Sequence, residues 1–210
     1  MNKNYQLELD KIISALGERN RLLLHSCCAP CSSYVLEYLT EYFDITIFYY
    51  NPNITSPDEY EKRAAEQQRL IEMLDVKRQI KYVAGEYEPQ KFYDIARGRE
   101  QLAEGGVRCF DCYRLRFEKT AEYMAANPGL YDYFATTLTL SPHKNAAKLN
   151  EIGYETAEKY GVEYLPSDFK KRGGYKRSIE LSRIYGLYRQ DYCGCEFSRR
   201  ARELLRKEKI

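Results

Sequence analysis

The sequence predicts an α/β fold built on a mainly parallel sheet of about five strands. Three observations carry this reading: short apolar runs bounded by turn residues, longer segments of helical period alternating with them, and a strandless C-terminal stretch of glycine-broken helices. At 210 residues the chain suits a single domain with one apolar core, and residues 167–210 read as a basic helical extension of it.

The opening MNKNYQLELDKIISALGERN places apolar residues at helical spacing and lacks the apolar stretch of a signal peptide, so a cytoplasmic protein is expected. Residues 22–25, LLLH, read as a buried strand, followed by a helix from about Cys31 to Tyr42. Residues 45–50, ITIFYY, give a second strand that Asn51-Pro52-Asn53 ends. Ser56-Pro57-Asp58-Glu59 opens a long helix to about Leu74. Proline in a first turn forfeits no intrahelical hydrogen bond, and the acids face the positive end of the helix dipole. Residues 80–84 form a third short strand, and residues 89–107 read as irregular or weakly helical. Gly105-Gly106 precedes a helix from about Phe110 to Ala126, and residues 133–138 are a fourth strand. Ser141-Pro142-His143-Lys144 leads into a helix from about Asn145 to Tyr160, and residues 162–165, VEYL, are read as a fifth strand. The remaining helices are broken at Gly173-Gly174, Gly186 and Gly194. In parallel sheets of this kind, sites form beyond the carboxyl ends of the strands at the switch point. The loop after strand one and the turn at 141–144 therefore face one crevice if strands one and four are neighbours.

A hydrophobic content of 44% with 30% charged residues is ordinary for a soluble chain, and no run approaches the roughly 18 apolar residues of a membrane helix. The net charge of +2 hides a basic end from Lys170 onward, where tyrosines sit beside cations as in Tyr175-Lys176-Arg177. Cations neutralise phosphates and tyrosine rings stack on unpaired bases, so a single-stranded or looped RNA is one partner this end suits. A solvated basic helix face with tyrosines packed beneath it is the alternative.

Seven cysteines fall into three clusters, Cys27-Cys28-Ala29-Pro30-Cys31, Cys109-Phe110-Asp111-Cys112 and Cys193-Gly194-Cys195. Core cysteines would scatter among strands, so complete clustering in loops points to chemistry. An odd number in a reducing compartment also argues against a disulfide framework. The C-x-x-C spacing lets two thiolates converge on one centre, and two such loops supply four ligands. Spacing alone leaves structural zinc and an iron-sulfur cluster equally open. A thioredoxin-like pair at Cys28 and Cys31 fits locally but leaves the other clusters unexplained.

The blocks HSCCAPCSS, RCFDCYRLR, TTLTLSPHKN and DFKKRGGYKRSIELSRIYGLYRQDYCGCEFS, in this order, resemble the cobalamin-independent epoxyqueuosine reductase family from about Asn20 to Ser198. The resemblance implies reductive deoxygenation of epoxyqueuosine in transfer RNA, the last step of queuosine formation. It implies a four-iron four-sulfur cluster on Cys27, Cys28, Cys109 and Cys112. It also implies either a redox-active Cys193–Cys195 disulfide or a further iron, with Cys31, Asp111, Cys193 and Cys195 as candidate ligands. The implied architecture is Rossmann-like, of the adenine-nucleotide-hydrolase type, with the C-terminal extension folding back over the site so that Cys193 and Cys195 reach it.

Converting an epoxide to an alkene takes two electrons and two protons and releases water. The reaction therefore calls for an external electron donor and a general acid, for which His143 and Asp111 are the positional candidates. The anticodon loop would meet Lys170, Lys171, Arg172, Lys176 and Arg177 through phosphates and Tyr175 by stacking. A zinc-stabilised RNA-binding module and a thiol-disulfide oxidoreductase are the competing functions.

Overall fold

The computed structural model describes residues 3–207. Four parallel strands, β1 (Asn20–His25), β2 (Phe43–Tyr49), β3 (Lys81–Ala84) and β4 (Tyr133–Thr136), form one sheet in the order β3-β2-β1-β4. The chain winds outward from β1 to β3 and then returns to place β4 on the other side of β1. The switch point therefore lies between β1 and β4, whose registers pair Leu22 with Tyr133 and His25 with Thr136.

β1 is buried on both faces, which is why it reads as a continuous apolar run rather than an alternating one. Leu22 and Leu24 join Ile45, Ile47 and Val35 in one core layer. Leu23 joins Phe48, Phe117 and Phe134 in the other. Helices α1 (Tyr5–Ser14), α2 (Ala29–Leu39), α3 (Pro57–Met73), α4 (Pro89–Ala96), α5 (Val107–Ala125), α6 (Ala146–Tyr160), α7 (Gly174–Ile184) and α8 (Glu196–Lys207) complete the described chain. Among the described residues no helix is long and apolar enough to cross a membrane.

The expected fifth strand is reduced to one bridge between Phe134 and Tyr164. Phe134 N–H donates to Glu163 and Leu165 N–H to the Phe134 carbonyl, at 2.9 and 2.8 Å. Pro166, which has no N–H to donate, follows at once and ends the pairing. β4 is also shorter than expected. Thr136 Oγ1 accepts from Leu138 N–H at 3.2 Å and turns the chain into a 3-10 segment over Thr137–Leu140. In the stretch read as irregular or weakly helical, Pro89–Ala96 is helical.

α7 packs against α2 and brings the C-terminal segment back to the sheet's carboxyl edge. The approach depends on Gly174, where a Cβ would lie 2.0 Å from the Phe169 carbonyl oxygen and 2.4 Å from the Tyr34 ring. Gly194 has φ +122, a conformation open to glycine, and its carbonyl accepts from Thr55 N–H at 3.4 Å.

Candidate metal centre

The first three cysteines sit where β1 ends. Ser26 N–H extends the ladder by donating to Phe48, and with Pro30 in its first turn α2 begins at Ala29, two positions before the expected start, with Cys28 as its N-cap residue. The loop is held from beneath. The Ser26 and Ser32 hydroxyls donate to Gln67 Oε1 at 2.7 and 2.9 Å, and Asn51 Nδ2 donates to the Ser26 carbonyl at 2.8 Å. Cys27 N–H reaches Thr137 Oγ1 at 3.3 Å, tying the loop to the chain beyond β4. The Sγ atoms of Cys27, Cys28 and Cys31 all lie within 4.8 Å of one another.

The second pair rides on α5. Cys109 and Cys112 are one helical turn apart and share a face. Gly105 N–H donates to Cys109 Sγ at 3.3 Å. Cys193 and Cys195 come from the loop before α8, where Asn53 Nδ2 and Arg63 Nη1 donate to the Cys193 carbonyl at 3.5 and 3.2 Å.

All seven cysteines line two adjoining cavities. Cys109, Cys112, Cys193 and Cys195 surround a small one, while Cys27, Cys28, Cys31 and Cys193 line a cleft of about 710 Å³. Cys193, Asn53, Glu104, Arg116 and Lys144 line both. The far wall of the cleft is the C-terminal segment from Arg189 to Leu205.

The thiols are surrounded by buried cations. Arg63 and Arg116 are 2% and 1% exposed, and Lys144 Nζ donates to Cys193 Sγ at 3.2 Å with Glu104 at 3.7 Å. Hydrogen bonds from Cys27 and Cys31, with Arg63 nearby, hold the Cys28 thiol well below its ordinary value. Burial pushes Cys112 up to about 11 and Cys195 up to about 12. Burial opposes the charge of Lys144, but Cys193, Tyr113 and Glu104 outweigh it and keep the ammonium protonated.

Several buried polar atoms around the thiols have no protein partner, namely Tyr49 Oη, Asn51 Oδ1, Asn53 Oδ1, Arg63 Nη2, Gln67 Nε2 and Arg116 Nη2. Buried polar atoms are normally paired, so their concentration here marks a place built for a further group or solvent. Soft thiolate donors beside cations suit a metal centre of net negative charge, such as an iron-sulfur cluster.

The expected site residues divide. His143 is exposed on the cleft wall. Asp111 lines neither cavity and instead pairs with Arg99. All seven cysteines are free, so the implied Cys193–Cys195 disulfide is not formed. The two sulfurs have different partners: Lys144 donates to Cys193, whereas Ser198 N–H, at the start of α8, donates to Cys195 at 3.4 Å. In the basic patch, Lys170 pairs with Asp168, Arg172 with Asp10, and Arg177 with Glu37 and Glu180. Lys171 and Lys176 are exposed and without an ion pair among the described residues, and Tyr175 lines the cleft.

Arg63, Arg116, Lys144 and Asn53 were not singled out by the sequence. Arg116 had a legible signal, since it follows Cys112 by four residues and shares its helix face. Arg63 had none, because α3 meets the cysteines only in the fold.

Residues 22–201 match the family model described as epoxyqueuosine reductase QueH. A protein named epoxyqueuosine reductase QueH from Staphylococcus epidermidis is 48% identical over 202 residues, spanning 93% of this chain and 84% of its own length. Its namesake from Staphylococcus aureus is 44% identical over 207 residues, with 93% and 85% covered. The Thermotoga maritima namesake is 38% identical over 183 residues, with 84% and 89% covered. With the cysteine-lined cleft at the switch point and the match running through all of its motifs, the chain belongs to the epoxyqueuosine reductase QueH family.

Proposed function

We propose that this chain is an epoxyqueuosine reductase acting on transfer RNA, with a four-iron four-sulfur cluster held by Cys27, Cys28, Cys109 and Cys112. The observation that carries the reading is that three cysteine groups far apart in sequence line adjoining cavities, one of them a cleft of about 710 Å³. That volume suits a nucleoside-sized ligand. Bound there, such a cluster would supply electrons one at a time, drawn from an external donor, for the two-electron reduction. Cys31, which completes the first triad, Cys193, which lines both cavities, and Cys195, which lines the smaller one, are the thiols left to hold a further iron beside it.

The chain's own residues do the rest. The cleft admits a flipped nucleoside between the β1 loop and the C-terminal segment, and its closure limits access of water to the reacting ring. His143, exposed on the wall, is the donor we assign to the epoxide oxygen, which leaves as water after two protons and two electrons. Asp111 is not used, because its carboxylate is engaged by Arg99. Lys171 and Lys176 meet backbone phosphates of the anticodon loop, and Tyr175 at the cleft offers a stacking face. The whole described chain acts as one catalytic unit in this reading, its C-terminal segment forming the lid.

The test is incubation of epoxyqueuosine-containing transfer RNA with anaerobically reconstituted protein and a chemical reductant, followed by mass analysis of the nucleosides. Loss of one oxygen is expected, with His143→Gln slowed at full metal content. Lys171→Glu with Lys176→Glu is expected to weaken RNA binding and flatten its salt dependence. A fully loaded protein that leaves epoxyqueuosine intact, or a charge-reversed variant binding RNA like wild type at every salt concentration, would contradict the corresponding part.

A further inference from the structure

Arg116 stands out among the buried cations. Its side chain projects from the cysteine-bearing face of α5, is 1% exposed and lines both cavities. Nε donates to the Cys112 carbonyl at 3.1 Å, while Nη2 has no partner. No carboxylate pairs with it among the described residues. Arg63, by contrast, is paired with Glu59 at 2.6 Å, and Arg108 donates to two carbonyls at 2.9 and 2.8 Å.

A guanidinium does not lose its proton in a protein, so burial cannot neutralise Arg116 as it would a lysine or histidine. Isolated buried charge is strongly unfavourable and persists where an anion compensates it. The two cavities that Arg116 lines hold cysteines of all three clusters. A centre held there by thiolates sets net negative charge beside the guanidinium from more than one side.

We propose that Arg116 is the internal counter-cation of the thiolate-bound centre, a positioning residue that favours both its assembly and its reduction. The inference rests on reading the site as an iron-sulfur centre. It adds that the apo protein carries an electrostatic strain which loading relieves. A positive charge beside a centre that gains electrons stabilises the reduced state, so its removal lowers the potential.

The experiment compares full-length wild type, Arg116→Met and Arg116→Lys, each apo and anaerobically reconstituted. Three readouts are taken: apo melting temperature, iron release to a chelator, and midpoint potential by spectroelectrochemistry. Apo Arg116→Met is expected to melt at or above wild type, because an uncompensated charge is replaced by a side chain of similar length. Loaded Arg116→Met is expected to release iron about 10–100-fold faster, the usual cost of losing an outer-shell partner, and to be reduced at a more negative potential. Arg116→Lys restores much of both. A variant that melts well below wild type as apo protein while holding its metal and potential would make Arg116 a structural arginine and overturn the proposal. Wild type that takes up no iron and sulfide would overturn the reading of the site and the proposal with it. Wild type that loads normally beside an unaltered Arg116→Met overturns the proposal alone.

Discussion

The two cysteine loops that meet in the cleft are fixed in opposite ways. The Cys27–Cys31 loop grows directly from a strand buried on both faces, and a closed network of Ser26, Ser32 and Gln67 lies beneath it. The Cys193–Cys195 loop has no strand behind it. Asn53, Thr55, Arg63 and Ser198 hold it through single polar contacts to its backbone. Half of the site is therefore part of the core, and half is clamped onto it. A core-built loop fails with the fold, whereas a clamped loop can be displaced while the fold stands, which is what a cleft that admits and releases a large substrate requires.

The largest effect on the core-built side is expected from Gln67→Ala. It removes the acceptor of two buried hydroxyls and leaves a cavity, so roughly 2–4 kcal/mol of stability should be lost in a denaturant melt. Gly194→Ala tests the clamped side. It strains a φ of +122 and puts a Cβ 2.9 Å from Ile54, so the loop should shift at a cost of about 1–3 kcal/mol. Its reconstituted iron is expected to become chelator-labile while the apo fold remains cooperative. Equal effects of both variants on the global melt would erase the distinction between the loops.

The smallest effect comes from the clamp behind the C-terminal segment. Glu66 accepts from Arg69 and from Tyr188 N–H, each at 2.6 Å, and Arg69 donates to the Tyr185 and Gly186 carbonyls. The side-chain hydrogen bond from Arg69 is the main cause holding the Glu66 carboxyl below its usual value of 4.5. A depressed carboxylate stabilises the folded state fully above the unfolded value and loses that contribution as pH falls through the folded one. The clamp should therefore hold above about pH 4.5 and loosen below it, worth at most about 1 kcal/mol after solvent screening. Limited proteolysis between residues 185 and 192 should rise on acidification in wild type and be raised and flat with pH in Glu66→Gln.

What the sequence made legible follows the same division. β1, β2 and the β1–β4 crevice were readable because buried parallel strands appear as contiguous apolar runs and the Cys27–Cys31 loop follows one of them directly. Helices α3, α5 and α6 were readable from period and first-turn chemistry. The fifth strand failed because VEYL has the composition of a strand but only one bridge before Pro166. Asp111 stands beside Cys112 in the sequence, but neighbours on a helix point about 100° apart, and its side chain pairs with Arg99. Lys170 pairs with Asp168 close by in sequence, whereas Arg172 and Arg177 meet Asp10 and Glu37 across 162 and 140 residues, which no local pattern displays. Of the cations around the thiols only Arg116 was legible, because Arg63 and Lys144 meet Cys193 across 130 and 49 residues.

We propose that Cys27, Cys28, Cys109 and Cys112, from two of the cysteine groups lining the adjoining cavities, hold one iron-sulfur cluster. The most direct test is the iron, acid-labile sulfide and zinc content of protein purified and reconstituted without oxygen, run beside Cys27→Ala with Cys28→Ala and Cys109→Ala with Cys112→Ala. About four irons and four sulfides per chain, lost in both double variants, is the expected result. Stoichiometric zinc without sulfide, kept when Cys109 and Cys112 are removed, would make the first triad a separate metal clasp and contradict the account.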